Sequence, residues 1–437
     1  MNYYSLNRQS PIVDFREATI KGQAPDKGLY FPERIPKIEA SFFNSIEKTE
    51  DVEIGVRVMH PYTESILTED ELSGIIKETI NFPLPLVKVT EDVYSLELFH
   101  GPTLAFKDVG ARFMSRCLRY FSKERSGKVT VLVATSGDTG SAVANGFYDV
   151  DGVEVVILYP SGKVSSVQEK QLTTLGKNIQ ALEVDGTFDD CQKMVKQAFT
   201  DSELNKKLFL TSANSINVAR WLPQQLYYFL AYKHWKQTDF APPVISVPSG
   251  NFGNICAGLL AHVSGLPVKH FIAACNANNV VPEFLQTRNY QPKTAIATIS
   301  NAMDVGDPSN FVRILELFDN EFLKIKDVLS SYSISDDETK TAITKIYATH
   351  NYLLDPHGAV AYLALEKYLY ESGEKNGLFL ETAHPVKFHD VVDLLIGKRV
   401  SFPAQLGDIL NRQNLSFKID KSFNELKNFL LADRRSN

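Results

Sequence analysis

From residue 129 onward, compact apolar and β-branched runs alternate with helix-length stretches. No other feature constrains the fold of this chain as strongly. Residues 129–134, 153–159, 179–184, 209–211, 244–247 and 268–274 read as strands of a buried parallel sheet. Between them the apolar spacing predicts a helix over about 141–148 and one through Cys191, Met194, Val195 and Ala198. It also predicts a long helix carrying Trp221, Leu222, Leu226, Phe229 and Leu230, and another over 255–263. Ahead of them Phe113, Met114, Cys117, Leu118 and Phe121 recur at helical spacing, with Gly127 closing that helix. The expected class is α/β, parallel sheets wound by helices. Ligands in such folds bind beyond the carboxyl ends of the strands.

Composition narrows the function classes. The chain has 437 residues, 44% hydrophobic and 22% charged, an ordinary globular balance with length for two or three domains. A net charge of −6 offers no basic field for nucleic acid or an anionic membrane. Cys117, Cys191, Cys256 and Cys275 are far apart, which argues against a disulfide framework and fits a reducing compartment. The start of the chain lacks a signal-peptide pattern and no apolar stretch is long enough for a bilayer, so a cytoplasmic protein is expected. The nine histidines form no H-E-x-x-H, and no G-x-S-x-G elbow is present, so neither a metal site nor a serine hydrolase is expected. Residues 1–81 mix short helical patterns with turns such as Ala24-Pro25-Asp26-Lys27-Gly28, and Phe82-Pro83-Leu84-Pro85 marks a boundary.

Three segments carry candidate chemistry. In His100-Gly101-Pro102-Thr103-Leu104-Ala105-Phe106-Lys107-Asp108, a lysine follows an apolar turn and precedes a helix. Such a lysine loses solvation and becomes a nucleophile, although a solvated lysine also fits the place. After the first strand, Thr135-Ser136-Gly137-Asp138-Thr139-Gly140 offers hydroxyls and N–H groups to an anion, or a simple helix cap. After residue 247, Pro248-Ser249-Gly250-Asn251-Phe252-Gly253-Asn254 suits a phosphate nest opening a helix, or an ordinary Gly/Asn turn. It is neither a Walker A loop nor G-x-G-x-x-G. Arg220, in Ser212-Ala213-Asn214-Ser215-Ile216-Asn217-Val218-Ala219-Arg220, reads either as a clamp for phosphate or carboxylate or as a surface arginine. Thr382, in Leu378-Phe379-Leu380-Glu381-Thr382-Ala383-His384-Pro385, suits a buried ring nitrogen or simply ends a strand. A reactive lysine, a phosphate cradle and a carboxylate-binding turn are together what a pyridoxal 5'-phosphate enzyme acting on an amino acid needs.

HGPTLAFKD, ATSGDTG, SANSIN, SVPSGNFGN, SNAMDVG and ETAHPVKF, with the early Gly28-Leu29-Tyr30-Phe31-Pro32, resemble in order and spacing the bacterial and fungal threonine synthases. These are tryptophan-synthase-β-like, fold type II pyridoxal-phosphate enzymes. The resemblance spans nearly the whole chain and implies an N-terminal domain (1–81), the start of a large cofactor domain (82–107), a small mobile domain (108–220) and the rest of the large domain with a C-terminal extension (221–437). It implies that Lys107 carries the cofactor as a Schiff base, that Gly250, Asn251, Phe252, Gly253 and Asn254 cradle its phosphate, and that Thr382 faces its pyridine nitrogen. Thr135, Ser136, Gly137, Asp138 and Thr139 match the loop that holds the substrate carboxylate. Many relatives have Asn where this chain has Asp138, and an anion beside a carboxylate is unfavourable, so Asp138 is expected to order the loop. Lys163, Asn214, Ser215, Asn217 and Arg220 are candidates for the substrate phosphate. The implied reaction turns O-phospho-L-homoserine and water into L-threonine and phosphate, by a monomer or homodimer that engages neither nucleic acid nor membrane.

Overall fold

Two sheets form where the apolar runs predict them, with a third, smaller sheet ahead of them. The computed structural model describes residues 1–122, 128–238 and 240–432. At the start, β1 (Asn2–Ser5) pairs antiparallel with β2 (Val13–Asp14) and β3 (Tyr30–Pro32). Strands of two to four residues are too short to show a period of two, so helical patterns and turns were all that residues 1–81 displayed.

The chain enters a first parallel sheet with β4 (Leu86–Lys88) and β5 (Val93–Glu97) and leaves it for β6 (Val129–Ala134), β7 (Val153–Pro160), β8 (Ile179–Asp185) and β9 (Phe209–Thr211). It returns as β10 (Val244–Pro248), β11 (His270–Cys275), β12 (Leu329–Ser333) and β13 (Gly377–Glu381), then ends in β14 (Phe417–Asp420). The first sheet has the order β12-β11-β10-β13-β5-β4, parallel except for β4. The second has the order β14-β8-β7-β6-β9 and is parallel throughout. β6 and β10 are buried along their whole length, as β-branched strands covered on both faces must be.

The helices that position the site are α1 (Lys107–Ser122), α2 (Asp138–Phe147), α3 (Ser166–Thr173), α4 (Phe188–Thr200), α5 (Val218–Trp221), α6 (Gln225–Trp235), α7 (Gly253–Val263), α8 (Pro356–Ser372) and α9 (Phe423–Leu431). α1 is the helix expected from its apolar spacing, while Gly127, expected to close it, lies outside the described residues. The single long helix expected through Trp221 and Leu230 is instead α5, a 3-10 turn over Leu222–Gln224, and α6. Pro223 sits in that turn, where it removes an N–H and crowds the preceding carbonyls. β14 adds to the sheet of β6, and Leu426 and Leu430 of α9 pack with Cys191, Met194 and Val195 of α4. The C-terminal part of segment 221–437 therefore crosses to the second sheet, because α9 has an apolar face to bury there. Among the described residues no helix is long and apolar enough to cross a membrane.

Arg313 joins the parts. It is fully buried and donates to Asn310 Oδ1 (2.7 Å), Tyr30 O (2.9 Å) and Ile216 O (2.6 Å). Its guanidinium lies 4.2 Å from the centre of the Trp221 ring, which also stacks on Phe31. Burial lowers its pKa to about 10, leaving it charged near neutral pH. One side chain thus binds the N-terminal sheet, the segment before α5 and the turn at residue 310. Arg313→Met leaves these buried acceptors unpaired at about 1–3 kcal/mol each. We expect a clearly lower melting temperature in a thermal scan, with Arg313→Lys intermediate; equal melting temperatures for all three proteins would refute the clamp.

Candidate active site

Lys107 is the first residue of α1, at the end of a loop that the first sheet holds in place. Leu98 N–H donates to Glu381 O and Phe106 N–H to Thr382 O (both 2.9 Å), and Ala105 bridges Ala383. These backbone bonds put Lys107 beside Thr382, which is buried just beyond β13. Leu104 takes the left-handed conformation (φ 57°), and Thr103 turns back onto Asp108, its N–H and Oγ1 bonding the carboxylate at 2.9 and 2.5 Å. Burial raises the Asp108 carboxyl to about 6 against those bonds. Burial also pulls the Lys107 amine below its ordinary pKa. The Asp138 charge opposes this, while Lys387 and Arg220 add to it.

The loop after β10 lies between β11 and β13, at the crevice of the first sheet. Phe252 is left-handed (φ 61°) and is the N-cap of α7. The N–H groups of Gly250, Asn251 and Phe252 donate to no acceptor among the described residues. Uncapped amides at the start of an 11-residue helix make an anion nest. The side chains around them brace the nest. Asn254 Nδ2 bonds Pro248 O (2.9 Å), while Asn251 Nδ2 bonds Ser215 Oγ (2.7 Å) and its Oδ1 accepts from Ser309 N–H (2.7 Å). Adjacent tyrosines of α6 tie this loop to the lysine loop: Tyr228 Oη donates to Asn254 O (2.7 Å) and Tyr227 Oη donates to Phe106 O. A basic-poor amine, a nest of free N–H groups and a buried hydroxyl at Thr382 fit a phosphate-bearing pyridine aldehyde.

The loop after β6 opens α2, with Gly137 as its N-cap. Thr135 Oγ1 accepts from the N–H groups of Gly137 (3.0 Å) and Gly140 (2.8 Å), so this hydroxyl shapes the loop from within. Ser136 is exposed, Thr139 half-buried, and Asp138 buried. Asp138 Oδ1 accepts from Lys387 Nζ at 2.6 Å and from Gln168 Nε2 at 2.8 Å. Burial alone would raise the Asp138 carboxyl, but Lys387 and then Lys107 hold it well below the usual carboxylate range. Gly137 has φ 143°, and a Cβ there would meet the Gln168 amide at 2.5 Å, so the loop requires glycine.

The remaining candidates separate. Arg220 is buried, donates through Nη1 to Ala213 O (2.5 Å), and forms no ion pair among the described residues. Its Nε also has no partner, and burial lowers its pKa to about 10. Asp108 is near enough to favour its charge, but without an ion pair among the described residues one donor stays open to an anion. Ser215 Oγ is taken by Asn251 and by Asn310 Nδ2 (3.4 Å). Asn217 caps α5 through Oδ1 and donates to Thr19 O (2.8 Å) and Ser212 O, which commits its amide to the framework. Asn214 is half-buried beside them. Lys163 stands exposed on the turn after β7, without an ion pair among the described residues, and is not gathered with the others. Lys387, fully buried, lies within the ETAHPVKF string, yet only its contact with Asp138 marks it as part of the site.

Comparison with known proteins bears on all three regions. Residues 2–80 match the family described as threonine synthase N terminus, 78–380 that of pyridoxal-phosphate dependent enzymes, and 358–430 that of threonine synthase, C-terminal. The threonine synthase of Haemophilus influenzae is 44% identical over 99% of this chain and all of its own length. The crystal structure of threonine synthase from Escherichia coli superposes with a TM-score of 0.91 at 41% identity, covering 99% of both chains. The pyridoxal-phosphate-bound threonine synthase from Brucella melitensis superposes with a TM-score of 0.94 at 33% identity, covering both chains completely.

A Cβ at Gly250 would lie 2.8 Å from Ala302 O and from Met303 Cα, both backbone atoms that cannot step aside. Gly250→Ala must therefore displace the nest. We expect its Kd for pyridoxal 5'-phosphate, measured by equilibrium dialysis, to rise about tenfold or more, a loss of about 1.4 kcal/mol. An unchanged Kd would remove the nest from the account.

Proposed function

The chain belongs to the threonine synthase family, the pyridoxal-phosphate enzymes that turn O-phospho-L-homoserine and water into L-threonine and phosphate, and on that footing we propose that Lys107 is the residue through which it does so. The observation that carries the assignment is the position of Lys107: beside Thr382, on a loop tied through α6 to the nest at 250–254, with its amine less basic than usual. When bound, the cofactor supplies an electron sink for the carbanion next to the substrate nitrogen.

The chain's own groups do the rest. The N–H groups of Gly250, Asn251 and Phe252 hold the cofactor phosphate, helped by the dipole of α7. The Thr382 hydroxyl meets the ring nitrogen without bringing a charge. The start of α2, with Ser136, Gly137 and Thr139, receives the substrate carboxylate. Arg220, buried and with its Nε unpartnered, meets the substrate phosphate together with Asn214. The Lys107 amine, made less basic than usual by burial and two neighbouring cations, takes the proton from the α carbon. It also serves as the carrier for later proton transfers.

Cofactor-loaded protein given O-phospho-L-homoserine should release L-threonine and phosphate in equal amounts. Phosphate without threonine, or neither, would refute the assigned reaction. Lys107→Ala should lose turnover together with the visible absorption of the protein-bound cofactor. Arg220→Met should raise KM for the phosphorylated substrate about tenfold or more, equivalent to one charge-assisted contact, and relieve competition by inorganic phosphate.

A further inference from the structure

Against Asp138, and electrostatically close to Lys107, lies a fully buried lysine that the reaction above does not use. Lys387 lies in the 3-10 turn Pro385–Phe388 after β13, on the first sheet, whereas Asp138 opens α2 beside β6, on the second. Their side chains meet at 2.6 Å with 0% and 5% of their surface exposed. Lys387 also donates to Thr103 O (2.9 Å), a carbonyl shared with Gln171 Nε2 of α3 (3.1 Å). Gln168 of α3 holds the same Asp138 oxygen at 2.8 Å. The pair is thus a fixed, dry contact that joins both sheets to the loop carrying Lys107.

We propose that Lys387 is a positioning residue for the reaction: it claims the Asp138 carboxylate, so that this anion neither repels the substrate carboxylate at α2 nor pairs with Lys107. The inference rests on Lys107 and the 135–140 loop acting as proposed above. A buried carboxylate at an anion-binding helix start makes sense only if another cation offsets it. Without Lys387, the nearest cation left to Asp138 would be the Lys107 amine, and a lysine paired with a buried carboxylate stays protonated. The charged and titratable groups around Lys107 are Asp138 of α2, Lys387 of the 385–388 turn and Arg220 of α5, with Asp108 on its own helix. Tyr227 of α6 reaches the adjoining Phe106 carbonyl. Asp108 is bonded to Thr103, so Asp138 is the anion whose charge bears on the Lys107 amine.

The test uses the cofactor-loaded, full-length protein and reads the pH midpoint of its visible absorption alongside kcat and KM. Lys387→Met should move the midpoint upward by about one unit or more, because a cation is lost and the Asp138 anion is freed. It should also raise KM for O-phospho-L-homoserine about tenfold. Asp138→Asn should move the midpoint downward, leaving Lys387 and Arg220 unopposed. The double variant Asp138→Asn with Lys387→Met should bring the midpoint back to that of the unaltered protein and recover most of KM. Lys387→Arg should keep the midpoint. If Lys387→Met does not fold, the opposite shift in Asp138→Asn and its cancellation in the double variant decide the matter. Midpoints that do not move in folded variants, or a double variant displaced by a unit, would overturn the proposal. A Lys107→Ala protein that keeps the absorption would overturn the lysine assignment and this inference with it; if that variant loses the absorption, unmoved midpoints overturn the inference alone.

Discussion

An amine loses basicity where water is scarce and other cations are close, provided no carboxylate is free to capture it. That condition at Lys107 organises the rest of the structure. The first sheet supplies the dry wall, through backbone bonds from residues 98–106 to 381–384. The second sheet supplies Asp138, the anion that would defeat the arrangement, already joined to Lys387. Two neighbouring tyrosines of α6 hold the lysine loop and the anion nest to one rigid helix. Precision in such a site comes from these supporting bonds more than from the groups that meet ligands.

The proposed site would handle three anions in three ways. A nest of free backbone N–H groups at α7 suits a cofactor phosphate that stays bound, since amides have no side chain to rearrange. The start of α2 suits a carboxylate that arrives and leaves, with the Asp138 and Lys387 charges cancelling beneath it. The buried Arg220 guanidinium, with its Nε unpartnered, suits the phosphate of the substrate. Likeness to known threonine synthases runs along the full chain, including the N-terminal sheet that Arg313 fastens to the body.

Much of this was legible in the chain. Strand runs such as 129–134 and 179–184 were readable because largely buried parallel strands are rich in apolar and β-branched residues. The turn at Gly137 and the close approach at Gly250 were readable because positive φ and tight backbone contact demand few residue types. What escaped depends on tertiary meetings. Lys387 is one lysine in a familiar string until Asp138, 249 positions earlier, is found against it. Asn217 reads like a ligand-binding amide, yet its bonds go to Thr19 and Ser212, partners that no local pattern reveals. Lys163 reads like an anion-binding lysine but lies on an exposed turn. The crossing of β14 to the second sheet follows from the apolar face of α9, which has no counterpart nearby in sequence.

The central claim is that the half-buried Lys107, and not the fully buried Lys387, bears the cofactor. Reduction of the cofactor-loaded protein with borohydride, digestion and mass spectrometry tests it most directly. The account predicts a pyridoxyl label on the peptide containing Lys107 and none on the peptide containing Lys387. A label on Lys387, or on neither peptide, would contradict it.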